Sequence, residues 1–496
     1  MPLEHIPFGS FNPRFYGVSV FLSDHGRLDA MHRYVATEDV GKYATNSVPA
    51  SFDEISTLSV IDHETRHFHD FLISPLGTSM MGLRMQASIN GIQAFKAIKR
   101  SLGRYVPVPI GRWMQWNNAT RQQWVESTGK YCGITRLDDM VALPNVTDPL
   151  PMSVSTGAHP LPDSISPEHE LKLYAQLCSG AYSSMSDWRS HRVSDTGVQV
   201  GADDVFETLA HLVQLQSVWT GQGEEPGKVF LRFILTSPAL HLHPIQVLWE
   251  ALKRAPEPVS IRRLIELVMW TLLGPEQKLR SDGHPAFRFS QLLVLAVTSP
   301  DHVVFVEKLP TRRLFELLDT MTETCGWEEN IRTAEASADQ RIELYRRASQ
   351  QVSGGYFDSL FAVAEVWHQD QHAARRTFLE DPESITNPLR YLTERAYPLP
   401  YVETRLGSMI HERTAPLGVD NSRAIAVDDD GKRVISYISC LSTPKTIDSL
   451  DNVVSARLST HLVDWLFVDE PTVDGYEEYW RSRLETILGK EIVSVY

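Results

Sequence analysis

Residues 62–70, Asp-His-Glu-Thr-Arg-His-Phe-His-Asp, put three histidines, one glutamate and two aspartates into nine positions. Around them Ile55, Leu58, Ile61, Thr65, Phe68 and Leu72 recur at three- and four-residue steps. That is the period of an amphipathic helix, so the spacing predicts a helix over 52–74, stopped by Pro75 and Gly77. On a helix, His63 and His67 share one face, with Cβ atoms about 5–6 Å apart. Both imidazoles then reach a single cation at about 2.0–2.1 Å per nitrogen. Glu64 stands beside such an ion rather than on it, where a carboxylate takes a proton from a bound water and returns it to a leaving group. The competing reading is a solvated face on which Glu64 and Asp70 screen Arg66. Val60, Ile61, Phe68 and Phe71 oppose it, because they make the stripe partly buried and a buried imidazole pair needs a partner.

Outward from this helix the chain reads as mainly α with minor β. A strand is expected at 15–22 and helices at 78–102, 113–131, 168–186, 204–220, 228–235, 244–254 and 260–273. Further helices are expected at 287–297, 314–325, 334–350 and 356–379. Residues 143–167 form a long connection, with five prolines between Pro144 and Pro162, a length at which loops are often lids or binding segments. Residues 424–438 alternate as two strands about an Asp-Gly turn, and helices at 452–467 and 476–488 follow. The expected division is a helical metal-binding core over 1–310, a helical extension over 311–400 and a small α/β region over 401–496.

Two histidines do not complete a catalytic metal site, which usually has three protein ligands and a water. A third histidine six positions after His67 would fall at 73, which is Ile73, so that solution is excluded. Glu207, His211 and Gln214 make a polar stripe at i, i+4 and i+7 on the otherwise apolar 204–219 segment, and a metal would satisfy such a stripe. Glu207 is the favoured third ligand and His211 the alternative. Asp204 followed by Glu207 is also a capping-box pattern that needs no metal.

The His63-Glu64-x-x-His67 string with a glutamate from a later helix resembles the gluzincin-type zinc metallopeptidases. The wider HETRHFHDFLISPLG stretch is similar to an uncharacterised bacterial branch of metallopeptidase-like proteins. The resemblance covers about forty residues, and it implies a zincin-like core with Zn2+ on His63, His67 and Glu207 and Glu64 as general base. The interval between the last two ligands, 207 − 67 = 140 positions, is far longer than in thermolysin-like enzymes. Gly283-His284-Pro-Ala-Phe-Arg288 is similar to a His-Pro…Arg segment of prenyl-protein peptidases. By that likeness His284 would orient substrate or an oxyanion, and Arg288 would pair with a carboxylate. The plain alternative is a helix start with proline in its first turn.

His368-Gln-Asp-Gln-His372 repeats the i, i+4 histidine spacing but has Gln369 where the base would stand. Arg375 and Arg376 suggest a solvent face there, so the pair is set aside as a metal site. His69 is expected to be solvated or to support its neighbours, and His241-Leu-His243-Pro to open a helix.

Charge and composition exclude other classes. Lys plus Arg is 47 and Asp plus Glu is 62, a formal charge of −15, which argues against gripping nucleic acid or anionic lipid. No apolar run approaches the roughly 20 residues of a membrane helix. Four scattered cysteines fit a reducing, cytoplasmic setting. No phosphate-cradling glycine loop is present. The expected function is hydrolysis of a bond in a peptide or protein substrate. A rival uses Fe(II) with 2-oxoglutarate on His63, His67 and His211, with Arg288 clamping the oxoacid. A third reading is a non-catalytic protein whose metal only staples helices.

Overall fold

The computed structural model describes residues 8–11, 17–22, 52–143, 167–193, 199–256, 258–275, 283–306, 308–352, 358–394, 396–398, 400–406, 418–420, 423–427, 433–438, 463–467 and 477–495. The fold is mainly α with minor β, as the periodicity implies. No described helix is long and apolar enough to cross a membrane.

The histidine-bearing helix, α1 (Phe52–Ile73), is buried along its whole described length from Ser59 onward. Arg66 is therefore not screened in solvent. It lies at the core, with its Nε 2.9 and 3.0 Å from the two Asp70 oxygens and its Nη1 donating to the Ile385 carbonyl at 2.6 Å. Ser74 alone separates α1 from α2 (Pro75–Arg100): it caps α2 by accepting from the Gly77 N–H at 3.1 Å, and Pro75 takes the first-turn position. The expected stop is thus a tight corner, in which a Cβ on Gly77 would collide with the Phe71 carbonyl.

The helix expected at 113–131 is two helices and a 3-10 turn. Ile110–Gln115 ends at Trp116, Asn117 caps Asn118–Ser127 by accepting from Thr120 N–H at 2.8 Å, and Gly129–Cys132 follows. An asparagine in an extended conformation starts a helix more readily than it continues one. Helix α3 (Pro167–Ser190) packs along α2, where Cys178 approaches the Ala87 carbonyl at 3.5 Å. Helix α4 (Ala202–Gln222) packs along α1, and Glu224–Thr236 and His243–Leu252 continue the layer. The remaining long helices are α5 (Ile261–Thr271), α6 (Pro285–Thr298), α7 (Thr311–Met321), α8 (Trp327–Val352), α9 (Asp358–Glu380) and, as expected near 476–488, α10 (Glu477–Leu488).

Strands from both ends of the chain meet. β1 (Phe8–Phe11) and β2 (Gly17–Leu22) join β4 (Tyr401–Leu406), β5 (Gly418–Asp420), β6 (Arg423–Val427) and β7 (Arg433–Ile438) in one sheet of order β1-β2-β4-β7-β6-β5. β1 is an edge strand, antiparallel to β2 with Phe8 opposite Phe21. β2 and β4 run parallel, and β6 and β7 are the expected antiparallel pair. β3 (Tyr105–Val108) pairs in parallel with β8 (Glu491–Ser494) near the C-terminus. One apolar core runs from Val18 through Phe315 and Phe378 to Val495, so all three expected segments share it. The 144–166 connection, the Asp-Gly turn, the start of the 15–22 strand and most of the 452–467 helix lie outside the described residues.

Candidate metal centre

Helices α1 and α4 run antiparallel with complementary polar stripes. Gln214 lies opposite Ser59 at 3.4 Å, His211 opposite His63 with ring centroids 4.5 Å apart, and Glu207 opposite both His63 and His67. Ser217 adds a hydrogen bond to Asp62 at 2.7 Å. An interval of 140 positions in sequence becomes direct side-chain contact because α4 is the neighbour of α1 in the layer.

The His63 and His67 Nε2 atoms are 3.1 Å apart. Glu207 straddles them, with Oε2 3.3 Å from His63 Nε2 and Oε1 3.4 Å from His67 Nε2. His211 Nε2 lies farther out, 3.7 Å from Glu207 Oε2. Ligand atoms of His63, Glu207 and His211 all lie within 4.8 Å of one another. A cation with tetrahedral ligands at about 2.0–2.1 Å has ligand–ligand edges of about 3.3–3.4 Å, so the nitrogen and oxygen separations fit such an ion. The protein leaves polar atoms here unsatisfied: His63 Nδ1 and His211 Nδ1 are buried with no hydrogen-bond partner among the described residues.

Why Glu207 faces the histidines is answered by the start of α4. The helix begins at Ala202, and Asp204 accepts from the Gly201 N–H at 2.8 Å while also binding Arg192 at 2.6 Å. Asp204 thus completes the cap itself. The capping-box alternative for Glu207 fails because the helix begins three residues earlier than that pattern requires.

The electrostatics follow from burial and contact. Burial would lower the His67 imidazole, but Glu207, aided by Glu64 and Asp70, outweighs it and raises His67 to about 9. Burial would raise the Glu207 carboxylate, yet His67 and His63 hold it well below the usual range. His211 goes the other way: burial and the neighbouring His63 push it well below an ordinary histidine. Burial raises the Glu64 carboxylate, against the pull of His63 and His67. A hydrogen bond from the Phe11 backbone also steadies it in its charged form. β1 passes so close that a Cβ at Gly9 would collide with Glu64 Cγ and Oε1, which is why the edge strand carries glycine there.

A cavity of about 250 Å³ opens beside the pair. Its polar end is Glu64, His67 and Glu207, and its apolar walls include Phe11, Phe71, Leu76, Met80, Trp188 and Phe206. Sequence reasoning missed Phe11 and Gly9, for which nothing in the first fifty residues gave a signal, and Trp188.

His284 and Arg288 do not join this group. Arg288 is fully buried, bonded to Asp319 at 3.1 Å and to the Trp270 carbonyl at 3.3 Å, with its guanidinium 3.9 Å from the Trp270 ring centroid. His284 caps α6, its Nδ1 accepting from the Ala286 N–H at 3.2 Å with Pro285 in the first turn, and its Nε2 lies 3.4 Å from the Trp188 carbonyl. Neither lines the cavity. The helix-start alternative describes this segment, and Arg288 is committed to a core ion pair rather than to an oxoacid. His69 is buried as well, held by the Tyr391 hydroxyl at 2.8 Å and the Pro398 carbonyl at 2.6 Å. His241 stacks on His211, centroids 5.7 Å apart, just before the His243 helix. Comparison of the chain with protein families, curated proteins and solved structures found no match.

Proposed function

We propose that this chain is a metal-dependent hydrolase, a zinc metallopeptidase-like enzyme with a zincin-like core that cleaves a bond in a peptide or protein. The observation that carries the reading is the Glu207 carboxylate at 3.3 and 3.4 Å from the two histidine nitrogens, with Glu64 on the same cavity. His63, His67 and Glu207 would hold the ion. A bound Zn2+ would polarise the scissile carbonyl and lower the pKa of its water.

The rest is the work of this chain's side chains. Glu64, made more basic by burial, receives the proton of the attacking water and passes it to the leaving amine. The Phe11 backbone orients that carboxylate. Phe11, Phe71, Met80 and Phe206 form an apolar wall for a substrate side chain next to the scissile bond and exclude water around it. Exposed free thiols at Cys132 and Cys325 support a reducing, cytoplasmic setting.

The test is Glu64→Gln, which keeps the shape but cannot take the proton. Zinc content should stay at the wild-type level, while cleavage of a mixed peptide pool, followed by mass spectrometry, falls by about 10²–10⁴-fold. Full cleavage by that variant removes the mechanism.

One observation favours a second reading: His211 closes on the same cluster, within 4.8 Å of His63 and Glu207 ligand atoms. In that reading His63, His67 and His211 would hold Fe(II), since imidazole suits iron as well as zinc. That reading loses its clamp, since Arg288 is paired with Asp319. A purely structural ion has no use for Glu64 in the cavity. Metal analysis of protein purified without added metal separates these: zinc favours the hydrolase, iron the oxygenase.

A further inference from the structure

Helices α8 and α9 bring together a second group of histidines and carboxylates, none of which lines the cavity. His368 and His372 stand one turn apart on α9, and Glu335 and Asp339 one turn apart on α8. His368 Nε2 and His372 Nε2 lie 3.2 and 2.7 Å from the same atom, Asp339 Oδ1. On the far side of its ring, His372 Nδ1 lies 2.6 Å from Glu335 Oε1. The two imidazoles meet edge to face with centroids 4.5 Å apart.

The premise that put this pair on a solvent face holds in part: Arg376 is exposed and His372 half-buried, but the other side of the pair faces the core. Arg375 is fully buried, bonded to the Ile73 carbonyl and to Thr78, and His368 is buried beside it. The nearby Arg346 is paired with Glu365 at 2.7 Å.

The contacts on the two sides of the His372 ring require a positive charge. An imidazole whose Nδ1–H is held by a carboxylate presents a basic Nε2 lone pair, the arrangement that carboxylates impose on metal-binding histidines. Here that lone pair points at a second carboxylate oxygen 2.7 Å away, and two acceptors at that distance repel unless a cation lies between them. The cation is a proton or a metal ion. His368 Nε2 on the same oxygen brings three potential ligand atoms within 4.8 Å of one another, the number of protein ligands an open metal site takes.

We propose that Asp339, His368 and His372 form a second site for a divalent transition-metal cation of the zinc class, with Glu335 orienting His372. The Asp339 side chain is 54% exposed, so it can move by the few tenths of an ångström that ligation requires and leaves a side open to water ligands. Gln369 follows His368 where a general base would stand, so the site clamps α8 to α9 and does not hydrolyse. Its neighbour Trp367 packs edge-on against Phe68 and Phe71 of α1, centroids 5.7 and 5.8 Å away, so the clamp braces the helix behind His63 and His67.

The experiment is equilibrium dialysis of chelator-stripped full-length protein against Zn2+, with metal counted per chain and melting temperature read in parallel. Asp339→Asn, at an exposed position that does not threaten folding, should weaken one zinc equivalent at least tenfold and reduce the zinc-induced rise in melting temperature. The double variant His368→Gln/His372→Gln should lose that equivalent, and His63→Gln/His67→Gln should keep it. A wild-type chain that binds one ion, lost only with His368 and His372, still supports this site while removing the other. If Asp339→Asn and the His368/His372 variant both bind zinc as the wild type does, the cluster takes protons alone and the proposal is overturned.

Discussion

Exchanging Glu207 for glutamine separates the carboxylate from the imidazole that follows it one turn later. Glu207 oxygens lie 3.3 and 3.4 Å from the two His63/His67 nitrogens, while His211 Nε2 is 3.7 Å from Glu207 Oε2 and stands behind it. In the proposed site Glu207 would therefore be the ligand and His211 its support. Four-ligand zinc sites hold their ion with about 10–16 kcal/mol, or about 2.5–4 kcal/mol per ligand, so loss of one ligand costs about 10²–10³-fold in affinity. Glutamine retains a weak carbonyl donor, which puts Glu207→Gln near the lower bound and Glu207→Ala near the upper. His211→Gln, touching the ion through Glu207, should cost about tenfold. The assay is competition for Zn2+ against a chromophoric chelator at constant pH, with circular-dichroism melts to confirm folding. If His211→Gln weakens zinc as much as Glu207→Gln, the ligand order is wrong and the oxygenase arrangement becomes the better description. If neither changes it, the ion is not held between α1 and α4.

Other consequences concern the residues that the structure moved out of the site. Arg288→Met should destabilise the protein by about 3–5 kcal/mol in chemical denaturation, because it strands the buried Asp319 carboxylate. The zinc affinity of the folded fraction should be unchanged, and a selective loss of cleavage with wild-type stability would return Arg288 to the site. His284 is held at about 4, against 6.5 when free, by burial and by His191. A depressed folded value means that its contribution is complete above pH 6.5 and is lost as pH falls towards 4, a total of about 3 kcal/mol. His284→Asn keeps a capping side chain without that titration. The wild-type-minus-variant stability should therefore fall across this window, and a flat difference would show that His284 does not titrate there.

How much of this was legible in the sequence depends on the range of the interaction involved. Periodicity is local, and it placed α1, α4 and most other helices within a few residues. It also exposed the Glu207–His211–Gln214 stripe. What it could not supply is which stripe meets which, because the pairing of α1 with α4 is a property of the layer. One helix was misplaced by a short-range alternative of nearly equal cost, Asn117 breaking 113–131 in two. His284 and Arg288 were misread for another reason. Histidine, proline and arginine near a helix start have the same composition whether they cap and brace a core or face a substrate, and only burial tells them apart. The same ambiguity applies at His368–His372, where Arg376 is exposed but its neighbour Arg375 is buried and bonded to the Ile73 carbonyl. Polar residues in this chain are therefore poor reporters of surface. Arg66, Arg288 and Arg375 are all fully buried, each spending its guanidinium on a carbonyl or carboxylate from another helix or on its own. A core braced in this way packs behind α1 while its histidines face α4, where their Nε2 atoms lie 3.1 Å apart.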